Sequence, residues 1–321
     1  MVGFFVPVYR PLHPNKQQGD NMVEQSKIDL LTEKINQADT IVVGGASGMS
    51  AAAGFVFYYQ RDEVFRQIAG SLEEKYGFHN YFDAFYHQGH TRGEHWAMVL
   101  RSTRYLYECY TGEPYIDLAR LLEGKNYYIA TTNQDMQFYR VFPAEKITCI
   151  QGNSGYWQCS RPCHDAIYPN REQVFELCQH IENDALPDEL IPRCPRCGSE
   201  MEPWVRGYTF LQGEYYQREM QRYMDFLRQN ANRKTLFLEL GVGMMTPMFI
   251  KEPFMNMTYQ WPHAFYATIN PQHAIVPPEI ARKSLAIGDD IAVVLKQLLG
   301  VPANQIEQKE QKQLFNPSKV Y

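Results

Sequence analysis

The chain has 321 residues, 45% of them hydrophobic and 21% charged, which is enough to bury one large domain or one domain with a satellite. Its formal net charge is -5 and it has no long basic run, which argues against a nucleic-acid partner. No apolar run approaches the roughly 18 to 20 residues of a membrane span, so no membrane partner is expected. The apolar N-terminal run lacks the features of a signal peptide, and an odd number of cysteines, seven, favours a reducing compartment. We therefore predict a cytoplasmic protein.

The first predicted strand, residues 40–43, ends in a turn rich in small residues that extends to Gly54. Small residues allow backbone N–H groups to approach a pyrophosphate, and the alanine-rich run that follows opens a helix with a positive N-terminus. A glycine-rich turn is also a common structural turn, so both interpretations stay open. The position of this turn directly after a strand favours phosphate binding.

Polar residues follow two further predicted strands. Residues 127–132 lead into Asn133 and Asp135, and residues 146–150 lead into Gln151. Because ligands bind at the carboxyl ends of strands in open α/β sheets, we expect these turns to converge on one site. Two later strands, at residues 235–240 and 264–269, and a helix at residues 291–299 complete the predicted core.

Two insertions separate these predicted units. Residues 55–122 are rich in aromatic side chains and predicted to be mostly helical, with Pro114 at the start of a helix. Residues 153–229 contain paired cysteines and a helix-like run at residues 215–227. The predicted fold class is α/β, a Rossmann-like parallel-sheet domain with a smaller zinc-binding and helical domain. The expected boundaries are a tail at 1–24, the sheet domain at 25–54, 123–152 and 230–312, the smaller domain at 55–122 and 153–229, and a tail at 313–321, with Met22 as an alternative start.

Four cysteines form two pairs, Cys159 with Cys163 and Cys194 with Cys197, each able to present two thiolates from a tight turn. Tetrahedral zinc suits such an arrangement, and we predict a structural zinc held by all four thiolates. The first pair has one residue more than the common spacing, and the 30 residues between the pairs exceed the usual separation. His164 is an alternative ligand, although its adjacency to Cys163 makes simultaneous binding awkward. The remaining cysteines are expected to be packing residues: Cys109, Cys149 and Cys178.

Two other clusters have structural interpretations. His87, His90 and His95 lie in a polar stretch, and we predict a solvated face there in preference to a proton relay, since none lies at a strand end. The methionine and phenylalanine cluster at residues 244–249 is predicted to belong to the core or to line a hydrophobic acyl channel.

Taken in order, these motifs resemble the sirtuin family over about residues 27–300. Residues 46–54 match the family's Gly-Ala-Gly-x-Ser-x-x-x-Gly loop, and residues 131–135 match its Thr-Gln-Asn-Ile-Asp. Residues 240–244 stand where the family has Gly-Thr-Ser-Leu, and residues 269–270 and 288–290 stand where it binds the adenosine ribose and adenine. The resemblance implies that NAD is a co-substrate, bound between the two domains. It assigns NAD binding to Ala46, Ser47, Gly48, Ser50, Gly54, Gln134, Gly241, Gly243, Asn270 and Asp290.

Two departures from the sirtuin deacylases bear on the reaction. The deacylases follow the glycine-rich loop with Ile-Pro-Asp-Phe-Arg, whereas residues 55–59 are Phe-Val-Phe-Tyr-Tyr. They also have His-Gly where this chain has Gln151 and Gly152, and that histidine is their general base.

The substitution at position 151 can be interpreted chemically. Loss of nicotinamide from NAD leaves an oxocarbenium-like ribosyl centre, which positioned dipoles stabilise without proton transfer. Asn133 fits that role or the placement of a nucleophile, and Asp135 fits hydrogen bonding to the nicotinamide carboxamide. Deacylation also needs a base, and Gln151 can orient a group but does not titrate, a loss of about 10²- to 10⁴-fold. The pattern therefore favours ADP-ribosyl transfer.

The glutamine also resembles the class M sirtuins, a microbial branch of the family. That resemblance implies an NAD-dependent protein mono-ADP-ribosyltransferase whose acceptor is a lipoylated, glycine-cleavage-H-like carrier protein. It also implies a macrodomain protein that reverses the modification. Two alternatives stay open: an NAD-dependent lysine deacylase or delipoylase that uses a different base, and a non-catalytic sensor of NAD or ADP-ribose.

Overall fold

The computed structural model of the protein describes residues 24–302. Met22, the apolar N-terminal run and the predicted tail at residues 313–321 lie outside this range. Within it, no helix combines the length and the apolar character that crossing a membrane requires.

Two sheets organise the described residues, one of six parallel strands and one of three antiparallel strands. In chain order the strands are β1 (Thr40–Gly45), β2 (Tyr127–Thr131), β3 (Ile147–Cys149), β4 (Gly152–Cys159), β5 (Ile167–Pro169), β6 (Met201–Val205), β7 (Thr235–Leu240), β8 (Phe265–Ile269) and β9 (Ser284–Ile287). The large sheet has the order β3-β2-β1-β7-β8-β9, and the small sheet has the order β5-β4-β6. The predicted α/β class with a parallel sheet is confirmed, and the predicted strands are all present.

Helices connect the strands and cover both faces of the large sheet. In chain order they are α1 (Gln25–Gln37), α2 (Ser47–Ala52), α3 (Glu63–Ala69), α4 (Leu72–Tyr76), α5 (Tyr81–Tyr86), α6 (Arg92–Glu108), α7 (Glu113–Leu121), α8 (Arg171–Leu177), α9 (Glu214–Asn230), α10 (Lys251–Gln260) and α11 (Ile291–Leu298).

The central strand β1 shows why its sequence is a continuous apolar run. Ile41 and Val43 point into the core formed with α1 and α11, whereas Val42 points into the core formed with α9 and α10. All three side chains are fully buried. A strand covered by helices on both faces has no solvent-facing positions, so it loses the polar alternation of a half-buried strand.

The first insertion is helical, as predicted, and runs from α3 to α7. A capping box, in which Thr91 and Glu94 bond each other's backbone N–H, starts α6. Pro114 lies in the first turn of α7, which packs against α11. Tyr115 and Leu118 of α7 are fully buried in the same core cluster as the large sheet. Part of this insertion therefore shares the core of the sheet.

The second insertion contains the small sheet, which the sequence did not predict, and the predicted helix, which is α9. Strand β4 begins directly after Gln151 and ends at Cys159. It is irregular, because its pairing with β6 shifts register between Gly152 and Trp157. Strand β4 thus connects the edge of the large sheet to the cysteine cluster.

The predicted solvated face of three histidines is wrong. His87, His90 and His95 are partly buried and contact one another or the rings of Tyr76 and Phe85, with ring centroids 5.0 to 5.6 Å apart. Burial lowers the pKa of His95 to about 4, so this side chain is neutral near pH 7. The imidazole rings pack against the neighbouring aromatic side chains and shield them from solvent.

The interpretation of residues 244–249 as core is wrong for the methionines, whereas Phe249 packs against the core cluster that contains Val42. The alternative interpretation, a hydrophobic acyl channel, stays a prediction. Met244, Met245 and Met248 are 52%, 68% and 52% exposed. These methionines lie in the connection between β7 and α10.

Candidate active site

The predicted catalytic residues follow neighbouring strands at one edge of the large sheet. Thr131, the last residue of β2, pairs with Gly45 of β1 on one side and with Cys149 of β3 on the other. Asn133 and Gln151 each come two residues after these paired positions. The structure thus brings the two polar turns to the same edge of the sheet.

Asn133 is held by its amide nitrogen. Nδ2 donates to the carbonyl oxygen of Ala46 at 3.0 Å and to the hydroxyl of Tyr115 at 3.3 Å. Its backbone N–H donates to Thr131 Oγ1 at 3.0 Å. Among residues 24–302 no group donates to Asn133 Oδ1, although the residue is only 8% exposed. The carbonyl end of this amide is therefore the end that can meet a ligand.

Asp135 is almost fully buried behind Asn133. Its Oδ2 accepts hydrogen bonds from the hydroxyls of Ser50 and, at 3.4 Å, Tyr115, and its Oδ1 accepts one from the backbone N–H of Gln137 at 3.1 Å. Burial raises the pKa of this carboxyl, and the hydrogen bond from Ser50 opposes the shift. Ser50, assigned to NAD by the resemblance, thus has its hydroxyl engaged by Asp135. Tyr115 was not predicted, since nothing in the sequence near Pro114 marks it as a site residue.

The two glycine-rich turns meet at the same edge. The backbone N–H of Ala46 donates to the carbonyl of Leu240 at 3.1 Å, and that of Gly48 donates to the carbonyl of Gly241 at 3.1 Å. A Cβ built on Gly241 would lie 2.5 Å from the Cα of Gly48, and Gly241 has a φ of +71°. Only glycine permits this close approach of two backbones. The turns after β1 and β7 are therefore in direct backbone contact.

Other residues assigned to NAD by the resemblance surround these turns. Ser47 begins α2, and neither its backbone N–H nor its hydroxyl hydrogen-bonds to any residue in the range 24–302. Gly54 follows α2 with a φ of +91°. Gln134 and Gly243 are partly exposed. Ser47 is thus the residue of the first turn that still has donors to offer.

Asn270 and Asp290 have local structural partners. Asn270 Nδ2 donates to the carbonyl of Val242 at 3.1 Å, and its Oδ1 accepts from the backbone N–H groups of residues 272 and 273. Asp290 caps α11 by accepting from the backbone N–H of Ala292 at 2.8 Å. Their side chains shape the loops after β8 and β9 at the edge where the glycine-rich turns meet.

Gln151 is partly exposed, and no residue in the described range hydrogen-bonds to its side chain. Its backbone carbonyl accepts from the backbone N–H of Arg206 at 2.9 Å. The Arg206 guanidinium donates to the carbonyl of Ile150 at 2.8 Å and to the hydroxyl of Tyr216 at 2.9 Å. It also lies over the rings of Phe210, Tyr216 and Phe249 at 4.6 to 5.7 Å, and its Nε is buried without a partner.

Arg206 therefore places a cation beside the turn that carries Gln151. It links this turn to the segment after β7, because Phe249 belongs to that segment. The sequence did not predict Arg206. It follows β6, a strand that was itself not predicted, and arginine after a strand is an ordinary surface residue.

The four paired cysteines form one cluster, with all four sulfur atoms within 4.8 Å of one another. The Sγ atoms of Cys159 and Cys197, and those of Cys163 and Cys194, are 3.6 Å apart. A tetrahedron with Zn–S bonds of about 2.3 Å places its sulfurs about 3.8 Å apart. The four thiolates therefore fit a structural zinc ion, as predicted.

The residues around the cluster complete this picture. His164 Nδ1 lies 3.1 Å from Cys163 Sγ, and its Nε2 lies 2.6 Å from the hydroxyl of Tyr168, so this side chain is engaged outside the four-sulfur set. Burial raises the pKa of Cys109 to about 11 and that of Cys149 to about 12. Both thiols are therefore protonated near pH 7, which agrees with their predicted role as packing residues.

Comparison with known proteins supports this description of the fold. No family model matches the sequence. A sirtuin structure described as "The Structural basis of Sirtuin Substrate Affinity" covers 85% of this chain and 98% of its own, with a TM-score of 0.57 and 15% identity. A Sir2 homologue solved as a complex with NAD covers 85% of this chain and 92% of its own, with a TM-score of 0.52 and 14% identity. The fold is thus that of the sirtuins.

Proteins with similar sequences show which branch of this fold the chain belongs to. A protein ADP-ribosyltransferase of Staphylococcus aureus (strain Mu50 / ATCC 700699) is 33% identical over 284 residues, which are 87% of this chain and 89% of that protein. A probable bifunctional ADP-ribose hydrolase/ADP-ribosyltransferase of Fusarium oxysporum f. sp. cubense is 30% identical over 260 residues, 78% of this chain. The chain spans 43% of the length of the Fusarium protein. The chain belongs to the family of sirtuin-type, NAD-dependent protein ADP-ribosyltransferases.

Proposed function

We propose that this enzyme transfers ADP-ribose from NAD to a side chain of a lipoylated, glycine-cleavage-H-like carrier protein and releases nicotinamide. The observation that carries the transfer is Gln151, a residue that cannot titrate, at the turn where the sirtuin deacylases have a histidine base. The carrier protein is inferred from the resemblance to class M sirtuins. A macrodomain protein that removes the modification is a further proposed partner, and the bifunctional Fusarium relative supports such a link.

NAD is proposed to lie over the edge where the two glycine-rich turns meet, between the sheet domain and the zinc-binding and helical domain. The N–H groups of Ala46 and Gly48 are already used by the turn after β7. Ser47, with an unused N–H and hydroxyl, is therefore the proposed donor to the pyrophosphate. Asn270 is proposed to meet the adenosine ribose and Asp290 to lie near the adenine. The remaining residues assigned by the resemblance are proposed to line the rest of the NAD site: Ala46, Gly48, Ser50, Gly54, Gln134, Gly241 and Gly243.

The proposed reaction breaks the bond between nicotinamide and the ribose, and nicotinamide leaves as a neutral molecule. Positive charge develops at the ribosyl carbon, and the free Oδ1 of Asn133 offers the negative end of an amide dipole to it. Asp135 is proposed to hold the nicotinamide carboxamide. The acceptor side chain then bonds to the ribosyl carbon and releases any proton to solvent, with Gln151 orienting the reactants.

Transfer can be separated from deacylation in one assay. The enzyme is incubated with NAD labelled in its adenylate, an acyl-lysine peptide, and the carrier protein with and without lipoate. We expect label on the lipoylated carrier and an unchanged peptide. A deacylated peptide with unlabelled carrier would instead favour the alternative function, an NAD-dependent deacylase or delipoylase.

Asn133→Ala removes the carbonyl dipole proposed to face the ribosyl centre. Loss of one such positioned group typically lowers kcat by about 10²- to 10³-fold. We expect nicotinamide release, measured by chromatography, to fall by this amount while the melting temperature changes little. Full activity in this variant would show that the site lies elsewhere, and NAD binding without any turnover in the wild type would favour a sensor.

Gln151→His restores a group that titrates near neutral pH. If the missing base is what prevents deacylation, this variant should remove acyl groups from the lysine peptide, measured by mass spectrometry. An inactive Gln151→His variant that still binds NAD would mean that the substrate channel, including the altered residues 55–59, is also unsuited to acyl-lysine. Gln151→Asn serves as the matched control, because it keeps an amide.

A further inference from the structure

Glu239 and Lys251 form a buried ion pair against the large sheet. Glu239 lies on β7, two residues before Gly241 of the glycine-rich turn, and Lys251 is the first residue of α10. Lys251 Nζ lies 2.6 Å from a carboxylate oxygen of Glu239, and the two side chains are 3% and 0% exposed. Within residues 24–302 it is the one ion pair whose two side chains are both buried. We call Glu239 and Lys251 the buried pair.

Neither burial nor the place in the helix favours a lysine at position 251. The N-terminus of a helix carries partial positive charge, so a cation there is disfavoured. A buried ion pair costs the hydration of both charges, and apolar side chains of similar size often give equal or greater stability. Stability of the fold alone therefore does not account for the buried pair, and the other contacts of Lys251 become informative.

Lys251 also bonds the loop after β8, which we define as residues 270–277. Its Nζ donates to the carbonyl of His273 at 3.1 Å. The same carbonyl accepts from the backbone N–H of Ile275 at 2.9 Å, and the backbone N–H of His273 donates to Asn270 Oδ1 at 2.9 Å. His273 is thus the point where the lysine reaches the backbone of the loop, and Asn270 is bonded to the same residue.

The Glu239 carboxylate is held by β8, the strand that leads into this loop. One oxygen accepts from the hydroxyl of Thr268 at 3.0 Å and pairs with Lys251, and the other accepts from the hydroxyl of Tyr266. Tyr266 and Thr268 are fully buried. A carboxylate held in this way holds the ammonium, and the ammonium holds the His273 carbonyl.

The loop lies at the edge where NAD is proposed to bind. The N–H of Gly241 donates to the carbonyl of Ile269 at 3.0 Å, and Asn270 Nδ2 donates to the carbonyl of Val242 at 3.1 Å. The start of the loop is therefore bonded to the glycine-rich turn after β7. Ligands bind at the carboxyl ends of strands in open α/β sheets, and this loop follows such an end.

We propose that Lys251 is a positioning residue, held by Glu239, that fixes the loop after β8 in the shape that binds the adenosine half of NAD. This inference rests on the proposed function, because it requires the adenosine ribose to lie at Asn270. A loop that is ordered before the ligand arrives loses less entropy on binding, which raises the affinity. Because Lys251 is buried, it acts through the loop and sets the affinity for NAD without taking part in its cleavage.

Two variants separate positioning from support of the fold. Lys251→Met alone leaves the Glu239 carboxylate buried without its cation, so we expect unfolding at lower urea than in the wild type. The double variant, Lys251→Met with Glu239→Gln, removes both charges and keeps an amide oxygen for the hydroxyls of β8, so most of the stability should return. Neither variant has the hydrogen bond from Nζ to His273. We expect both to bind NAD and ADP-ribose about tenfold more weakly than the wild type by calorimetry.

A second lysine–glutamate pair supplies the matched control. Lys75 Nζ lies 2.5 Å from a carboxylate oxygen of Glu94, whose side chain is 8% exposed, and both residues lie in the first insertion. Lys75→Met with Glu94→Gln makes the same two substitutions, and glutamine can keep the capping box of α6. We expect this control to bind NAD with the affinity of the wild type.

Two further measurements report on the loop and on the reaction. The backbone N–H groups of residues 272, 273 and 275 donate within the loop. They should exchange with deuterium faster in the double variant, whereas the N–H groups of β7 should keep their rate. In assays of nicotinamide release, the double variant should raise KM for NAD about tenfold with kcat unchanged.

Recovery of NAD affinity together with stability in the double variant would overturn the proposal, because the buried pair would then only support the fold. Unchanged exchange in the loop, or an equal loss of affinity in the control, would also overturn it. If the double variant does not fold, Lys251→Gln, whose side chain is shorter, is compared with Lys75→Gln in the same assays. A wild type that binds NAD but labels no carrier would overturn the proposed acceptor, whereas the binding measurements would still decide the role of Lys251.

Discussion

Tyr115 connects the two side chains on which the proposed cleavage of NAD depends. Its hydroxyl lies 3.3 Å from Asn133 Nδ2, 3.4 Å from Asp135 Oδ2 and 3.5 Å from the hydroxyl of Ser50. Burial and the nearby Asp135 carboxyl raise the pKa of Tyr115 well above its ordinary value, so the phenol stays protonated. A neutral hydroxyl can donate to Asp135 and accept from Asn133 at the same time.

We expect Tyr115→Phe to reduce catalysis more than stability. Loss of one buried hydroxyl lowers the free energy of unfolding by about 1 kcal/mol. It also leaves Asn133 Nδ2 with one hydrogen bond, the one to the carbonyl oxygen of Ala46. We predict about a tenfold lower rate of nicotinamide release, measured by chromatography at saturating NAD. Tyr81→Phe is the control, since its hydroxyl bonds Ser102 in α6, away from the sheet edge. Equal rates in the two variants would mean that Tyr115 only packs.

Among individual residues, the sequence predicted those that directly follow strands of the large sheet. It did not predict those that contact them from the two insertions. Asn133, Asp135 and Gln151 each follow a strand, so the rule for open α/β sheets predicts that they lie at one edge, where the structure has them. Their catalytic roles stay predictions. Tyr115 lies in a helix of the first insertion and Arg206 after a strand of the second. Their contacts with the site depend on how the insertions pack, and no local pattern encodes that packing.

Among the elements, the two glycine-rich turns act as one unit. Gly48 and Gly241 belong to turns after β1 and β7, and their backbones meet because neither residue has a side chain. The hydrogen bond from Gly48 N–H to the Gly241 carbonyl closes this contact. Substitution of one glycine therefore moves both turns, and with them the proposed donor at Ser47.

Gly241→Ala should weaken NAD binding by moving the two turns, in addition to the strain that any side chain meets at a positive φ. A Cβ at a φ near +70° costs about 1 to 2 kcal/mol wherever it occurs. Gly124, with a φ of +70° and no atom within 4 Å of a built Cβ, supplies a control for that effect alone. We expect Gly241→Ala to lose more stability than Gly124→Ala in urea unfolding, because only its Cβ meets the Gly48 backbone, and we expect Gly241→Ala alone to weaken NAD binding at least tenfold by calorimetry. If the two variants bind NAD with equal affinity, the contact between the turns does not contribute to NAD binding.

The strands of the large sheet were predictable because burial on both faces makes them apolar throughout. Glu239 in β7 is an exception to this pattern and is fully buried. Its carboxylate pairs with Lys251 at 2.6 Å and accepts from the hydroxyl of Thr268 at 3.0 Å. The strand tolerates a charge because α10 brings the lysine to it. The small sheet was not predicted, because β5 is short and β4 shifts register, so neither strand gives a regular sequence pattern.

In the whole molecule, β4 joins the sheet edge of the candidate active site to the cysteine cluster. It begins next to Gln151 and ends at Cys159, and its Trp157 is buried against Trp96 of α6. Two of the four cysteines come from this side of the small sheet and two from the segment before β6. A zinc ion held by all four would therefore fix the Cys159–Met201 end of the β4–β6 pair, and the two strands connect that end to Gln151 and Arg206 at the other.

Loss of zinc should consequently inactivate the enzyme although the cysteines touch no substrate. Cys194→Ser leaves three ligands, and structural zinc sites contribute directly to folding, so we expect less than one zinc per chain and a changed near-ultraviolet spectrum from the tryptophans. Transfer of labelled ADP-ribose should fall at least 100-fold, and added zinc should not restore it. Cys178→Ser, outside the cluster, should keep zinc and activity. A zinc-free variant with full transfer activity would show that the sheet edge holds Gln151 without help from the zinc-binding region.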